Sequence, residues 1–112
     1  MDKTLKQVQK EVDDWANQFE EPYFPPLSQM AALTEEVGEV ARVMNRMYGP
    51  KKAKKEEALI DLEEELGDLV FSIACMANAQ GIDLTKAFGR KMDKSYKRDM
   101  DRFKKKQFIK EG

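Results

Sequence analysis

The stretch LEEELGDLVFSIACMANAQGI, residues 62–82, decides the fold. Leu62, Leu66, Leu69, Ile73 and Met76 recur every three or four positions, the period of an α-helix and not of a strand. From Leu66 to Ile82 the only ionisable acid or base besides Cys75 is Asp68. A helix apolar on nearly every side is normally buried, which predicts a dry setting for Asp68. An unpaired carboxylate there protonates or finds a cation. The chain contains no histidine, leaving Lys, Arg or a metal as its partner.

Working outward, the helical period persists. Leu5, Val8, Val12, Trp15 and Phe19 predict a first helix over about Lys3–Phe19. EEPYFPP follows, and its prolines forbid continuation. Ser28, a good N-cap residue type, predicts the start of a second helix with the stripe Met30, Leu33, Val37, Val40, Met44 and Met47. Tyr48-Gly49-Pro50 stops it. Lys51–Glu57 reads as a charged hairpin connection or the start of the third helix, which adds Leu59 and ends near Gln80-Gly81, with Gly81 as the residue past its cap. Asp83 caps a fourth helix carrying Leu84, Ala87, Phe88, Met92, Tyr96 and Phe103, and the basic tail at about 104–112 is expected to fray. With no alternating strand pattern and no repeat, residues 1–112 read as a single all-α domain, a four-helix bundle.

A chain of 112 residues with 41% hydrophobic content supports one core under a heavily charged surface. Twenty Lys and Arg against 21 Asp and Glu leave a net charge of −1, which argues against DNA binding and against a polybasic membrane contact. The charged N-terminal segment MDKTLKQVQKEVDDW is unlike a secretory signal, and the single Cys75 cannot form an internal disulfide. No apolar run reaches the roughly 18–20 residues of a membrane span, so the expected location is cytoplasmic. Without histidine, Ser-His-Asp and Cys-His catalysis, HExxH zinc sites and Glu-x-x-His di-iron sites are excluded. Any metal is held by oxygens, which favours Mg²⁺ or Mn²⁺.

Two acidic clusters supply those oxygens. LTEEVGEV, residues 33–40, carries Glu35, Glu36 and Glu39; LEEELGDLV, residues 62–70, carries Glu63, Glu64, Glu65 and Asp68. Residues three apart on a helix lie about 60° apart around the axis, so Glu36/Glu39 and Glu65/Asp68 each share a face. If the second and third helices form an antiparallel hairpin closing around position 52, residues whose numbers sum to 104 lie at equal height. Glu39 then faces Glu65, and Glu36 faces Asp68, giving a square of four carboxylates whose mutual repulsion divalent cations relieve. The plainer alternative is a solvated acidic face favoured by the helix dipole, and for Glu35, Glu63 and Glu64 taken singly it is at least as good.

These residues, EExxE at Glu35-Glu36-Val37-Gly38-Glu39 and ExxD at Glu65-Leu66-Gly67-Asp68, resemble the MazG-type nucleotide pyrophosphohydrolases of the all-α NTP pyrophosphatase superfamily. LTEEVGEVARVMN, EEELGDLVFSIACMANAQGIDL and KMDKSYKRD look like family segments in the family's order, over roughly Pro26 to Arg98. The resemblance implies Mg²⁺-dependent hydrolysis of a nucleoside triphosphate between its α- and β-phosphates, giving the monophosphate and pyrophosphate, in the service of nucleotide-pool housecleaning. It implies Glu36, Glu39, Glu65 and Asp68 as metal ligands, and a homodimer or homotetramer with sites near subunit interfaces. Glu35 or Glu39 would accept the proton of the attacking water; the residues leave that choice open.

The family's Lys-x-x-x-Asn-x-x-Arg pattern on the fourth helix reads here Lys91, Ser95 and Arg98. Lys91 and Arg98 share a face suited to the leaving pyrophosphate, with Lys94 a weaker candidate, and Ser95 departs from the pattern. Base recognition calls for an aromatic slot. Trp15, Tyr23 and Phe24 are candidates, although Trp15 and Phe19 read more readily as core. The methionines at 30, 44, 47 and 76 read as core or subunit interface. Two other assignments fit the same residues: a phosphoribosyl-ATP pyrophosphatase on this fold, and a non-catalytic helical interaction module whose acids serve solubility.

Overall fold

The computed structural model describes residues 2–50 and 55–106. Among them are four α-helices and no strand: α1 (Leu5–Ala16), α2 (Pro26–Tyr48), α3 (Lys55–Ala79) and α4 (Leu84–Lys94), the last followed by a π-helical turn at Ser95–Asp99.

Local chemistry sets the helix ends. Thr4 and Gln7 form a reciprocal capping box, which starts α1 at Leu5 rather than Lys3. At the other end Asn17 satisfies the carbonyl of Asp13 from both its backbone and its side chain, so α1 closes at Ala16 and Phe19 falls in the turn beyond. α2 starts at Pro26, two residues before Ser28, because a proline in the first turn is preset for helix and lacks only an N–H that would find no partner there. Pro25 precedes it, and no side chain caps this end.

α3 ends as expected. Gly81 takes φ +68°, the Ile82 N–H donates to the Ala77 carbonyl at 2.8 Å, and the Gly81 N–H donates to Asn78 at 3.2 Å. This is the Schellman arrangement that left-handed glycine permits. Asp83 then caps α4 by accepting from Thr85 N at 2.9 Å. The expected continuous fourth helix is broken by the π-helical turn, and Phe103 lies outside it and 75% exposed. Lys55–Glu57 already belongs to α3, Lys104–Lys106 are non-helical, and the hairpin closure at 51–54 and the tail 107–112 lie outside the described residues.

α2 packs along α3, α1 packs on α3, and α4 packs on α1. The helices thus form a succession of pairs rather than a closed bundle. The buried apolar residues are mostly small: Val12, Ala16, Val43, Met47, Ala58, Ala74 and Ala77. A compact domain of this length has a radius of gyration of about 13 Å; this chain has 18.5 Å, with extents of 62 × 41 × 30 Å. The long apolar helix α3 is not enclosed, leaving Leu66, Val70, Phe71 and Ile73 39–49% exposed. Asp68 is exposed too. This differs from the buried setting that the sequence predicts: among the described residues nothing covers that side of α3. Of the methionine stripe, Met47 is buried and Met76 half-buried, while Met30 and Met44 are exposed.

Candidate active site

The α2–α3 pair holds a measurable register. The buried Gln29 donates from Nε2 to the Cys75 carbonyl at 3.4 Å, bridging positions whose numbers sum to 104. Nearer the hairpin end, Arg46 pairs with Asp61 at 2.9 Å. Seven residues from Gln29 and Cys75, two helical turns along each helix, stand Glu36 and Asp68. There Glu36, Glu65 and Asp68 converge, each offering a carboxylate oxygen within 4.8 Å of the others.

Desolvation first, then the charges of Asp68, Glu36 and Glu39, push the Glu65 carboxyl above the ordinary glutamate range, with a hydrogen bond to Glu36 adding to the shift. Glu39 is exposed and outside the converging three, although its charge reaches Glu65. Glu35 is exposed on α2 and does not join them. Three converging carboxylates offer the oxygen donors that hard divalent cations prefer.

A cavity of about 370 Å³ adjoins these acids. Its wall includes Ala32, four residues before Glu36, and Ser72, four residues after Asp68, so it lies one helical turn from them on the same helix pair. Trp15, Phe19, Tyr23, Phe24 and Phe71 supply an aromatic lining. The Trp15 ring meets Phe19 and Phe71 edge to face, with centroids 5.0 and 5.6 Å apart. Trp15 and Phe19 are 51% and 54% exposed, so they form a cavity wall and not the core that their helical spacing suggested.

The loop that brings Tyr23 here is held by a polar network. The Tyr23 hydroxyl donates to Asp13 and accepts from Asn78 Nδ2 at 3.1 Å. Asn78 also donates to the Gln9 carbonyl at 2.9 Å, and the Gln9 side chain bonds Ile82 O and Leu84 N, both at 2.8 Å. Burial, then the bond to Asp13, pushes the Tyr23 phenol up to about 12.

The structure therefore gathers Trp15, Tyr23 and Phe24 in one cavity, beside Glu36, Glu65 and Asp68. It does not bring the basic candidates to them. Lys91 and Lys94 are exposed on α4, which packs on α1, and Arg98 lies in the π-helical turn with its Nε 3.5 Å from Asp99. Gln29, Phe71, Ser72 and Cys75 escaped the sequence reading. Their only signal was spacing: Ser72 and Cys75 repeat the helix face of Asp68, and Gln29 repeats that of Glu36.

The converging helix-borne acids beside an aromatic cavity are accompanied by a family match: residues 24–103 match the MazG nucleotide pyrophosphohydrolase domain. The chain belongs to this family and is a hydrolase of the nucleotide pyrophosphohydrolase type. Among its relatives is YpjD of Bacillus subtilis (strain 168), 48% identical over 106 residues, which are 95% of this chain and 96% of that protein. Crystal structures that share the fold include two of similar sequence. One is the Bacillus-conserved MazG protein, a nucleotide pyrophosphohydrolase, with TM-score 0.76 and 48% identity over 89% of this chain and 97% of that one. The other is Bacillus subtilis YpjD, with TM-score 0.75 and 49% identity over 84% and 96%.

Proposed function

We propose that the chain hydrolyses a nucleoside triphosphate between its α- and β-phosphates, releasing the nucleoside monophosphate and pyrophosphate, as a housecleaning enzyme of the cytoplasmic nucleotide pool. The observation that carries this reading is the one-turn separation between the aromatic cavity and the converging carboxylates. A base held between Trp15, Tyr23 and Phe24 extends its phosphates along α2 and α3 toward Glu36, Glu65 and Asp68. A net charge of −1 suits a small phosphate ester better than DNA.

Glu36, Glu65 and Asp68, with Glu39 alongside, would hold Mg²⁺ or Mn²⁺. When bound, that ion supplies neutralisation of the phosphate oxygens and a more acidic water. The remaining work falls to the chain's own groups. Glu39, whose charge is felt at Glu65, or Glu35 would accept the proton of the attacking water. Lys91, Lys94 and Arg98 are suited to the leaving pyrophosphate. Because α4 packs on α1, they serve a site on a neighbouring subunit of a homodimer or homotetramer.

The half-exposed apolar residues of α3 and the extended shape support that assembly. Incubation with a panel of triphosphates and Mg²⁺, with monophosphate and pyrophosphate quantified together, tests the reaction. Equimolar release of both is expected. Release of orthophosphate, or of nothing from any member, overturns the reading.

A further inference from the structure

The walls of the aromatic cavity are not held equally. Trp15, Ala32, Phe71 and Cys75 stand on helices, whereas Glu21, Pro22, Tyr23 and Phe24 belong to the connection between α1 and α2. The same stretch of connection lines a second cavity of about 560 Å³, together with Asn17, Ala79 and Gln80. It is thus a partition with space on both sides. Among the described residues, the segment 20–24 enters no hydrogen bond between backbone groups, and the Tyr23 hydroxyl is its one side-chain tether. A segment so sparsely bonded shifts at far lower cost than a helix.

The tether has a fixed direction. The Gln9 backbone carbonyl can only accept, so the Asn78 amide turns Nδ2 toward it, at 2.9 Å. Asn78 Oδ1 accepts from Gln9 Nε2 at 3.0 Å. Nδ2 therefore also meets the Tyr23 oxygen, at 3.1 Å, and the single phenolic proton goes to the Asp13 carboxylate. A hydrogen bond to a carboxylate is among the stronger kinds. Neither Asp13 nor Asn78 lines either cavity.

We infer that Asp13 is a specificity-determining positioning residue: with Asn78 it clamps the Tyr23 hydroxyl and holds the segment 20–24 as the partition that limits base size. This rests on the aromatic cavity being the base site. With the clamp intact, an oversized base meets a fixed wall, and overfilling a packed site is unfavourable. With the clamp released, the wall yields toward the second cavity, so bulky bases fit better and small ones are gripped less. The effect falls on affinity and selectivity rather than on the chemical step.

Two nucleotide pairs test this: dATP against N6-benzyl-dATP, and dCTP against N4-benzyl-dCTP. Trp15, the chain's only tryptophan, stands in the cavity wall, so its fluorescence reports binding independently of turnover. In the unaltered protein the smaller member of at least one pair should bind about tenfold or more better. Asp13→Ala removes the acceptor while placing a better helix former in α1; there the preference should fall toward one, with KM rising for the small base and kcat holding. Asp13→Asn keeps an oxygen that accepts the phenolic proton and should retain the preference. Should Asp13→Ala fail to fold, Tyr23→Phe decides, because it keeps the ring, loses the tether and should show the same loss of preference. General destabilisation would lower turnover of both members alike, so an undiminished preference in these variants overturns the inference. Equal affinities within both pairs in the unaltered protein, or a preference lost as fully in Asp13→Asn, also overturn it. Selective binding without pyrophosphate release supports the clamp and overturns only the hydrolytic reading; no fluorescence response to any nucleotide overturns both.

Discussion

Glu36 on α2 and Asp68 on α3 bring carboxylate oxygens within 4.8 Å of each other, with Glu65 beside them. Like charges held this close oppose folding unless a cation intervenes. Asp68→Asn should therefore leave a folded protein whose melting temperature in chelator equals or exceeds that of the unaltered chain. Its activity should fall by more than the roughly 10–100-fold that follows loss of an outer-sphere metal partner. Calorimetry in chelator and then in Mn²⁺ checks the first half, since the stabilising response to the ion should shrink in the variant. Retained full activity would remove Asp68 from the proposed site.

Tyr23 gives a pH signature. Its phenol is raised to about 12 in the folded chain, whereas an unfolded tyrosine ionises near 10. The folded state therefore keeps a proton that the unfolded state releases, and this contribution to stability is complete below about pH 10 and disappears between about 10 and 12. Ultraviolet difference titration should show Tyr23 ionising with that displacement. Tyr23→Phe should abolish this part of the alkaline loss of stability and cost about 1 kcal/mol near neutrality through the lost hydrogen bonds.

Assembly can be read from concentration. If α3 is covered by a neighbouring copy, the melting temperature should rise with protein concentration. Val70→Lys, a substitution at a half-exposed apolar position of α3, should then give a smaller species in sedimentation. A concentration-independent melt with a monomeric mass would show that the chain is stable alone.

Gly81, at φ +68°, should tolerate no side chain without strain. Gly81→Ala should cost about 1 kcal/mol, the ordinary penalty for a left-handed L-residue. Chemical denaturation measures it. A change within a few tenths would mean that the end of α3 rearranges freely.

Much of this was legible in the residues. The stop at Gly81 and the cap at Asp83 are local chemistry and stand where the sequence put them. The alignment of Glu36 with Asp68 followed from helical spacing and one assumed hairpin, and Gln29 opposite Cys75 keeps the same register. The apolar stripe alone missed the Thr4 capping box that starts α1, and reading Ser28 as an N-cap missed the proline start of α2 at Pro26. The exposure of Asp68 was not legible, because hydrophobicity says that a face wants covering but not which chain covers it. The π-helical turn at Ser95–Asp99 has no sequence signal that we recognise.

The register between α2 and α3 also works as a gauge. Gln29 and Glu36 sit two turns apart on one unbroken rod, and Asp68 and Cys75 match them on the next. One residue inserted between either pair would swing its members about 100° out of alignment. Length variation in relatives that keep both stations should therefore fall in the connecting segments and spare these seven-residue intervals.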